Sequence, residues 1–383
     1  VAAGVVIAGA GQAGFQCALS LRAEGYDGPV TLIGDEDSLP YQRPPLSKGC
    51  LSGKTDLDAI DLRPAAFYET NRIELRMGRR VESIDRQSRR VTLAGGGDVP
   101  YEYLVLATGC RNRELPGVDG VCYLRTREEA AAIMERLETS ETVAVIGGGF
   151  IGLEVAAAAA GHGRKVSVVE PQPRLMQRAV GPIVSGFFRE LHERNGVQFA
   201  FGTSAVDLSA DMIVAGIGVV PRTELAAAAG LTIANGIVVD SRLRTSDDLI
   251  FAIGDCAAFP SRFTGAMLRL ESVQNAVDHA RCVAGAICGR EAGYTAVPWF
   301  WTDQFNAKLQ TAGLSGGFDA EVVRGVVESG KFSVGYFREG RLIAMDSINQ
   351  PADHITARKL LAAGGNLTLH QAADLTFDLK AAV

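Results

Sequence analysis

The run PYQRPPLSKGCLSG, residues 40–53, gathers three side chains with chemistry to offer: Arg43, Lys48 and Cys50. A thiol can exchange electrons through a disulfide. A lysine can hold a positive charge beside a group that gains negative charge. Pro44 and Pro45 pre-set the backbone ahead of them, which argues against Lys48 being an ordinary lysine of a solvated loop. Cys50 has no partner at C-x-x-C or C-x4-C spacing and reads as a structural or incidental thiol. Lys48 is therefore the candidate catalytic residue, and Arg43 adds positive charge suited to a pyrophosphate.

The elements that would position such groups come from an internal repeat. VVIAGAGQAGFQCALSLRAEGY, starting at Val5, is echoed by VAVIGGGFIGLEVAAAAAGHGR, starting at Val143. Gly9, Gly11 and Gly14 match Gly147, Gly149 and Gly152, and each G-x-G-x-x-G lies between a β-branched run and an alanine-rich helical pattern. Further apolar runs follow, PVTLIGDE at 29–36 and KVSVVEPQ at 165–172. Each copy thus predicts strand, turn, helix and strand. The first glycine makes the turn, the second admits a pyrophosphate, and the third lets helix and strand pack closely. Asp35 and Glu170, ~20 residues on, are placed to bind ribose hydroxyls. One such motif is weak evidence. Two, each in full context, predict a flavin and a nicotinamide exchanging a hydride.

Other strand ends support this. YLVLATG (103–109), MIVAGIG (212–218) and LIFAIGD (249–255) are apolar runs ending in or next to glycine, where ligands of parallel sheets bind. They add Ala107, Thr108, Gly109, Gly254 and Asp255 to the flavin candidates, and Gly216 and Gly218 to the nicotinamide candidates. Asp255 suits either a ribityl hydroxyl or a helix N-cap. Phe150 and Ile151 belong to the second glycine turn. Glu154, just beyond it, suits either the nicotinamide ribose or an ordinary first turn of helix. Glu170 favours NADH because a carboxylate there repels a 2′-phosphate, although Arg174 stands close behind.

A chain of 383 residues predicts two or three domains. A net charge of −6 argues against general nucleic-acid binding, and no apolar run approaches membrane-spanning length. The seven cysteines are scattered and odd in number, as expected of reduced cytosolic thiols, and the five histidines lack metal-ligand spacing. No secretory leader is expected ahead of the first strand, and Val1 is not expected to be the natural start. Gly313 to Gly317 matches G-x-S-x-G, but a strand-like FDAEVVRGVVE follows where a hydrolase needs a helix, so a turn is expected.

With RPPLSK, LVLATG, LRT, VIGGGFIGLEVAA, AGIGVVP, GDC, ESVQNA and PWFWTDQ in this order, the chain resembles two-dinucleotide flavoprotein reductases of the glutathione reductase superfamily. Within it, the resemblance is to the ferredoxin reductases of oxygenase systems, the putidaredoxin reductase type. This implies an α/β fold with two Rossmann-like domains and a smaller α+β C-terminal domain. Residues 1–110 and 240–309 would bind FAD, 111–239 NAD, and 310–383 would form the third domain. KFSVGYFREGRLIAMDSI (331–348) independently reads as a hairpin, and HITARKLLAAGG (354–365) as a capped helix. One departure stands out. After FAFGTSAVDLS the chain lacks around twenty residues, so segment 203–211 is either a trimmed hairpin or an omitted one.

The resemblance also implies FAD contacts at Lys48, Ala13, Asp35, Val81, Arg125, Asp255 and Val273. It puts Trp301 near the flavin at a redoxin-docking face, with Arg63 and Arg281 at basic docking positions and Lys308 close to a third, where this chain has Gln310. Electrons would pass from NADH through FAD to a [2Fe–2S] ferredoxin feeding a haem or Rieske oxygenase, in the cytoplasm. No iron–sulfur cysteine set is seen, so the cluster would be the partner's. Alternatives on the same scaffold are an NADH oxidase or peroxidase, a rubredoxin or monodehydroascorbate reductase, and a redox-responsive binding protein of the apoptosis-inducing-factor type.

Overall fold

The computed structural model describes residues 3–203, 209–290 and 292–383. They form two compact units. One comprises residues 1–42, 60–111 and 219–296; the other comprises 43–59, 112–218 and 297–383.

The first unit is built on strands whose residues are almost all apolar. Gly4–Ala8, Val30–Ile33 and Ile250–Ala252 are buried along their whole length, as parallel strands covered on both faces must be. The parallel order is Ile73–Arg76, Val30–Ile33, Gly4–Ala8, Asp98–Leu106, with Ile250–Ala252 on the far side of Asp98–Leu106. The first half of Asp98–Leu106 also pairs antiparallel with Arg90–Leu93, which pairs with Val81–Asp85. Helices Gln12–Ala23 and Val273–Ile287 belong to the same unit, and one core runs through Ile7, Leu32, Leu104, Phe251 and Val283. Each such side chain contributes roughly 1.5–3 kcal/mol by leaving water.

In the second unit, Gln198–Phe201, Lys165–Glu170, Thr142–Ile146 and Met212–Ala215 lie side by side in parallel. Helix Phe150–Gly161 follows the second glycine turn. An antiparallel sheet runs Trp299–Gln304, Ala307–Gly313, Arg341–Ile348, Lys331–Arg338, Ala320–Val326. Lys331–Arg338 and Arg341–Ile348 form the expected hairpin. Its turn residues Glu339 and Gly340 both have positive φ, 51° and 72°, the two-residue turn that matches strand twist. Leu153, Phe188, Leu309 and Phe332 share a core, so this sheet packs against helices Phe150–Gly161 and Pro182–Arg194.

Two local differences have physical causes. The helix expected from His354 begins at Pro351, three residues earlier, because proline fits the first helical turn; it is capped at Gly364 with φ 71°. The 46–50 segment is not an open loop but a single wide helical turn in which Cys50 N–H bonds to the Pro45 carbonyl. The Gly313–Gly317 segment is a turn before strand Ala320–Val326, as expected. The expected hairpin departure falls across residues 204–208, outside the described residues. Among the described residues no helix is long and apolar enough to cross a membrane.

Candidate functional site

Both glycine turns show the same stereochemistry. Gly9 has φ 115°, and a Cβ there would lie 2.2 Å from the Ala107 carbonyl oxygen; Gly147 has φ 101°, and its Cβ would lie 2.5 Å from that of Gly216. A Cβ on Gly14 or Gly152 would strike the carbonyl of Gly9 or Gly147 at 1.9 Å and 2.0 Å. At the middle glycines the picture reverses. A Cβ on Gly11 or Gly149 would meet nothing within 4 Å, so each turn leaves open space over the start of its helix. The first and third glycines serve the fold. The second leaves the space that a pyrophosphate needs beside backbone N–H groups.

In the first unit, Asp35, Ala107, Thr108, Gly109, Gly254 and Asp255 all follow the carboxyl ends of adjacent parallel strands, beside Gly9, Gly11, Ala13 and Gly14. A Cβ on Gly254, φ 71°, would come within 3.0 Å of the Ala13 methyl, so the GDC turn backs onto the first glycine helix. Val273 opens helix Val273–Ile287, and Val81 opens its strand. Two residues not singled out in the sequence hold this rim. The Arg222 guanidinium donates to the Asp35 carboxylate at 3.0 Å while Thr108 Oγ1 donates to the Arg222 carbonyl at 2.7 Å. The Gly254 N–H donates to His279 Nδ1 at 3.2 Å. Burial lowers the His279 pKa to about 3, so the ring stays a neutral acceptor. The signal for His279 was its place in the helix that opens within ESVQNA. Arg222 gave none.

In the second unit, Glu170 ends its strand and accepts the Gly148 N–H at 2.7 Å and the Gln172 N–H at 2.8 Å. Gly216 and Gly218 follow strand Met212–Ala215, which pairs with Thr142–Ile146; Phe150 packs on Phe300 with centroids 4.5 Å apart, and Ile151 is exposed. Arg43 donates to the carbonyl of Arg125, whose N–H bonds Glu129 at 2.6 Å, so these two expected flavin contacts lie together.

Lys48 and Glu154 also belong to this unit, and they form an ion pair. Lys48 Nζ is 2.8 Å from Glu154 Oε1. Glu154 is buried, and its carboxylate also accepts from Ser47 Oγ and, at 2.5 Å, from Thr302 Oγ1. Burying a carboxylate without such donors would cost several kcal/mol, roughly. Cys50, two residues on, is fully buried, and burial pushes its thiol pKa upward, away from the thiolate that redox exchange needs.

The docking candidates divide between the units. Arg63, whose guanidinium lies over the Phe67 ring at 5.5 Å, and Arg281, beside Asp278 at 3.4 Å, are in the first. Trp301, 5.7 Å from the Trp299 ring, and exposed Lys308 are in the second.

Known proteins match this arrangement along the chain. The pyridine nucleotide-disulphide oxidoreductase model matches residues 3–280, and a reductase C-terminal model matches 299–383. Rhodocoxin reductase of Rhodococcus erythropolis is 48% identical over 401 residues, covering 99% of this chain and 94% of that protein. The crystal structure of the ferredoxin reductase for the CYP199A2 system of Rhodopseudomonas palustris is 46% identical. It superposes with a TM-score of 0.96 over 100% of both chains. The reductase in a covalent putidaredoxin reductase–putidaredoxin complex is 37% identical, with a TM-score of 0.95 over 99% of this chain and 97% of that one.

Proposed function

The chain belongs to the pyridine nucleotide-disulphide oxidoreductase family, and from that premise we propose that it is an FAD-dependent NADH:ferredoxin reductase. It takes a hydride from the nicotinamide and passes electrons to a [2Fe–2S] ferredoxin that supplies a haem or Rieske oxygenase. The observation that carries this reading is the pair of glycine turns, each with open space over its middle glycine, joined to a 46–50 turn whose one thiol, Cys50, is buried and pushed by burial away from the thiolate form. FAD and NAD(P)H are the family's cofactors. FAD would accept the pair as hydride and release electrons singly.

On this reading residues 1–110 and 240–309 carry FAD, 111–239 the nicotinamide nucleotide, and 310–383 form the C-terminal domain. The middle glycines admit the two pyrophosphates. Asp35 and Asp255 accept from ribose and ribityl hydroxyls, with His279 fixing the turn that holds Asp255. Val81, Arg125 and Val273 line the flavin, and Arg43 adds positive charge. Lys48, aligned by Glu154, supplies a fixed cation where negative charge accumulates on reduction. Glu170 selects NADH because its carboxylate, already oriented by two backbone N–H groups, repels a 2′-phosphate. Trp301, Arg63, Arg281 and Lys308 meet an acidic redoxin. A cytoplasmic location is part of the same proposal.

The test is to reduce the purified protein with NADH anaerobically and mix it with candidate [2Fe–2S] ferredoxins. Stoichiometric bleaching of the cluster supports the reading. Rapid NADH oxidation by oxygen or peroxide, with no ferredoxin reduced, sinks it.

A further inference from the structure

Glu154 is the end point of a longer chain of hydrogen bonds. Thr302 Oγ1, which donates to Glu154 Oε1, accepts from Gln304 Nε2 at 3.2 Å. Gln304 Oε1 lies 2.8 Å from His192 Nε2. Thr302, Gln304 and His192 are all buried. The polarity of this chain is fixed by chemistry. An amide nitrogen only donates and an amide oxygen only accepts, so His192 must carry its proton on Nε2, and Thr302 must give its own proton to the carboxylate. His192 Nδ1 is then the unprotonated nitrogen, and it is buried without a partner. Burial also lowers the His192 pKa to about 4, which keeps the ring neutral. Lys48 therefore faces a carboxylate whose other partners are neutral dipoles.

Thr302 and Gln304 sit on strand Trp299–Gln304, the strand that carries Trp301. Alternate residues of a strand face opposite ways. Thr302 and Gln304 are buried on one face, while Trp301 and Asp303 are half-buried on the other. One short strand thus holds the Lys48–Glu154 pair on one side and presents Trp301 on the other. We infer that Thr302 and Gln304 are positioning residues for the hydride step: they orient Glu154 so that its oxygen fixes the Lys48 ammonium. This inference rests on the reading of Lys48 given above.

The test uses the FAD-loaded protein with Thr302→Val, Thr302→Ser, Gln304→Met and Lys48→Ala. Thr302→Val keeps the shape and removes the hydroxyl. Its rate of flavin reduction by NADH should fall about tenfold, the effect of losing one hydrogen bond to a charged group. KM for NADH should stay unchanged, and the flavin midpoint potential should move negative, as with Lys48→Ala. Thr302→Ser should restore both rate and potential, and Thr302→Val should add nothing when Lys48 is already alanine. Gln304→Met should act in the same direction and carries the test if the valine variant does not fold. Thr302→Val with the parent's rate and potential, while Lys48→Ala is impaired, overturns this inference alone. A Lys48→Ala variant with unchanged rate and potential overturns the reading of Lys48 and this inference with it.

Discussion

Lys48 Nζ lies 2.8 Å from an oxygen of Glu154, a carboxylate buried at the second turn of the helix that opens on the second glycine motif. A residue from the proline loop and one from the repeat, more than a hundred positions apart, form one unit. Removing either should be felt twice. Lys48→Ala leaves a buried carboxylate without its cation, which should cost about 3–5 kcal/mol in urea unfolding. The lost charge should slow flavin reduction by tens to hundreds of fold. Adding Glu154→Gln to Lys48→Ala should recover much of the stability and none of the rate. Recovery of both would mean that Lys48 serves only the fold.

Cys50 should be dispensable for electron flow. It is fully buried and burial raises its thiol pKa, so little thiolate forms at neutral pH. Cys50→Ser should leave NADH oxidation and ferredoxin reduction nearly intact, while burying a hydroxyl should cost about 1 kcal/mol of stability. Stopped-flow absorbance separates the two half-reactions. A variant that is reduced normally but cannot pass electrons on would make the loop a thiol relay after all.

The duplicated strand–turn–helix, the carboxyl-end glycines and the C-terminal hairpin were legible in the sequence because each rests on local rules. These are an apolar run, glycines at fixed spacing, and a two-residue turn demanding positive φ. The hydrogen-bond network that holds Glu154 was not legible. Ser47, Thr302 and Gln304 are common polar residues from distant segments, and nothing in their own neighbourhoods marks them as buried together. Arg222 escaped for the same reason, since its pairing with Asp35 depends on sheet order. The wide turn at 46–50 escaped because adjacent prolines suggest extended chain, while here they only start the turn.

Glu170 should control nicotinamide choice. Its two carboxylate oxygens are tethered by the Gly148 and Gln172 N–H groups at the mouth of the second glycine turn. Glu170→Ala should raise KM for NADH about tenfold and narrow the preference over NADPH, with FAD content unchanged. Steady-state kinetics with both nucleotides measures this. A parent protein that prefers NADPH would refute the role given to Glu170.

Asp346 should impose a pH dependence on stability. It is buried, its carboxylate accepts from Tyr336 Oη at 2.7 Å, and burial raises its pKa from 3.8 to about 7. The unfolded chain therefore releases this proton near pH 4, and the folded chain holds it to about pH 7. The folded state binds more protons across that window, so stability from this group is full below about pH 4 and is lost as pH rises to about 7. Asp346→Asn removes the ionisation. Relative to that variant, the parent should lose stability steadily between about pH 4 and 7 and change little above. Urea midpoints of both proteins across the range decide it, and parallel curves would show that Asp346 does not titrate as described.

The glycine turns allow fold and ligand binding to be separated by substitution. Gly11 and Gly149 have φ −76° and −82°, which any residue adopts, and a Cβ at either position meets no protein atom within 4 Å. Gly14 and Gly152 are the opposite case, since a Cβ would overlap a backbone carbonyl that cannot move without breaking the turn. Gly14→Ala and Gly152→Ala should therefore lower the urea midpoint, whatever the ligand. Gly11→Val should fold with near-parental stability as apoprotein but fail to retain FAD, because its methyls occupy the space a pyrophosphate needs. Gly149→Val should keep its yellow colour and FAD stoichiometry while KM for NADH rises at least tenfold. The two valine variants thus assign one cofactor to each half of the repeat. If Gly149→Val loses FAD while Gly11→Val retains it, the assignment of the two turns is reversed. If both keep FAD and bind NADH normally, the open space over the middle glycines is not where the pyrophosphates lie.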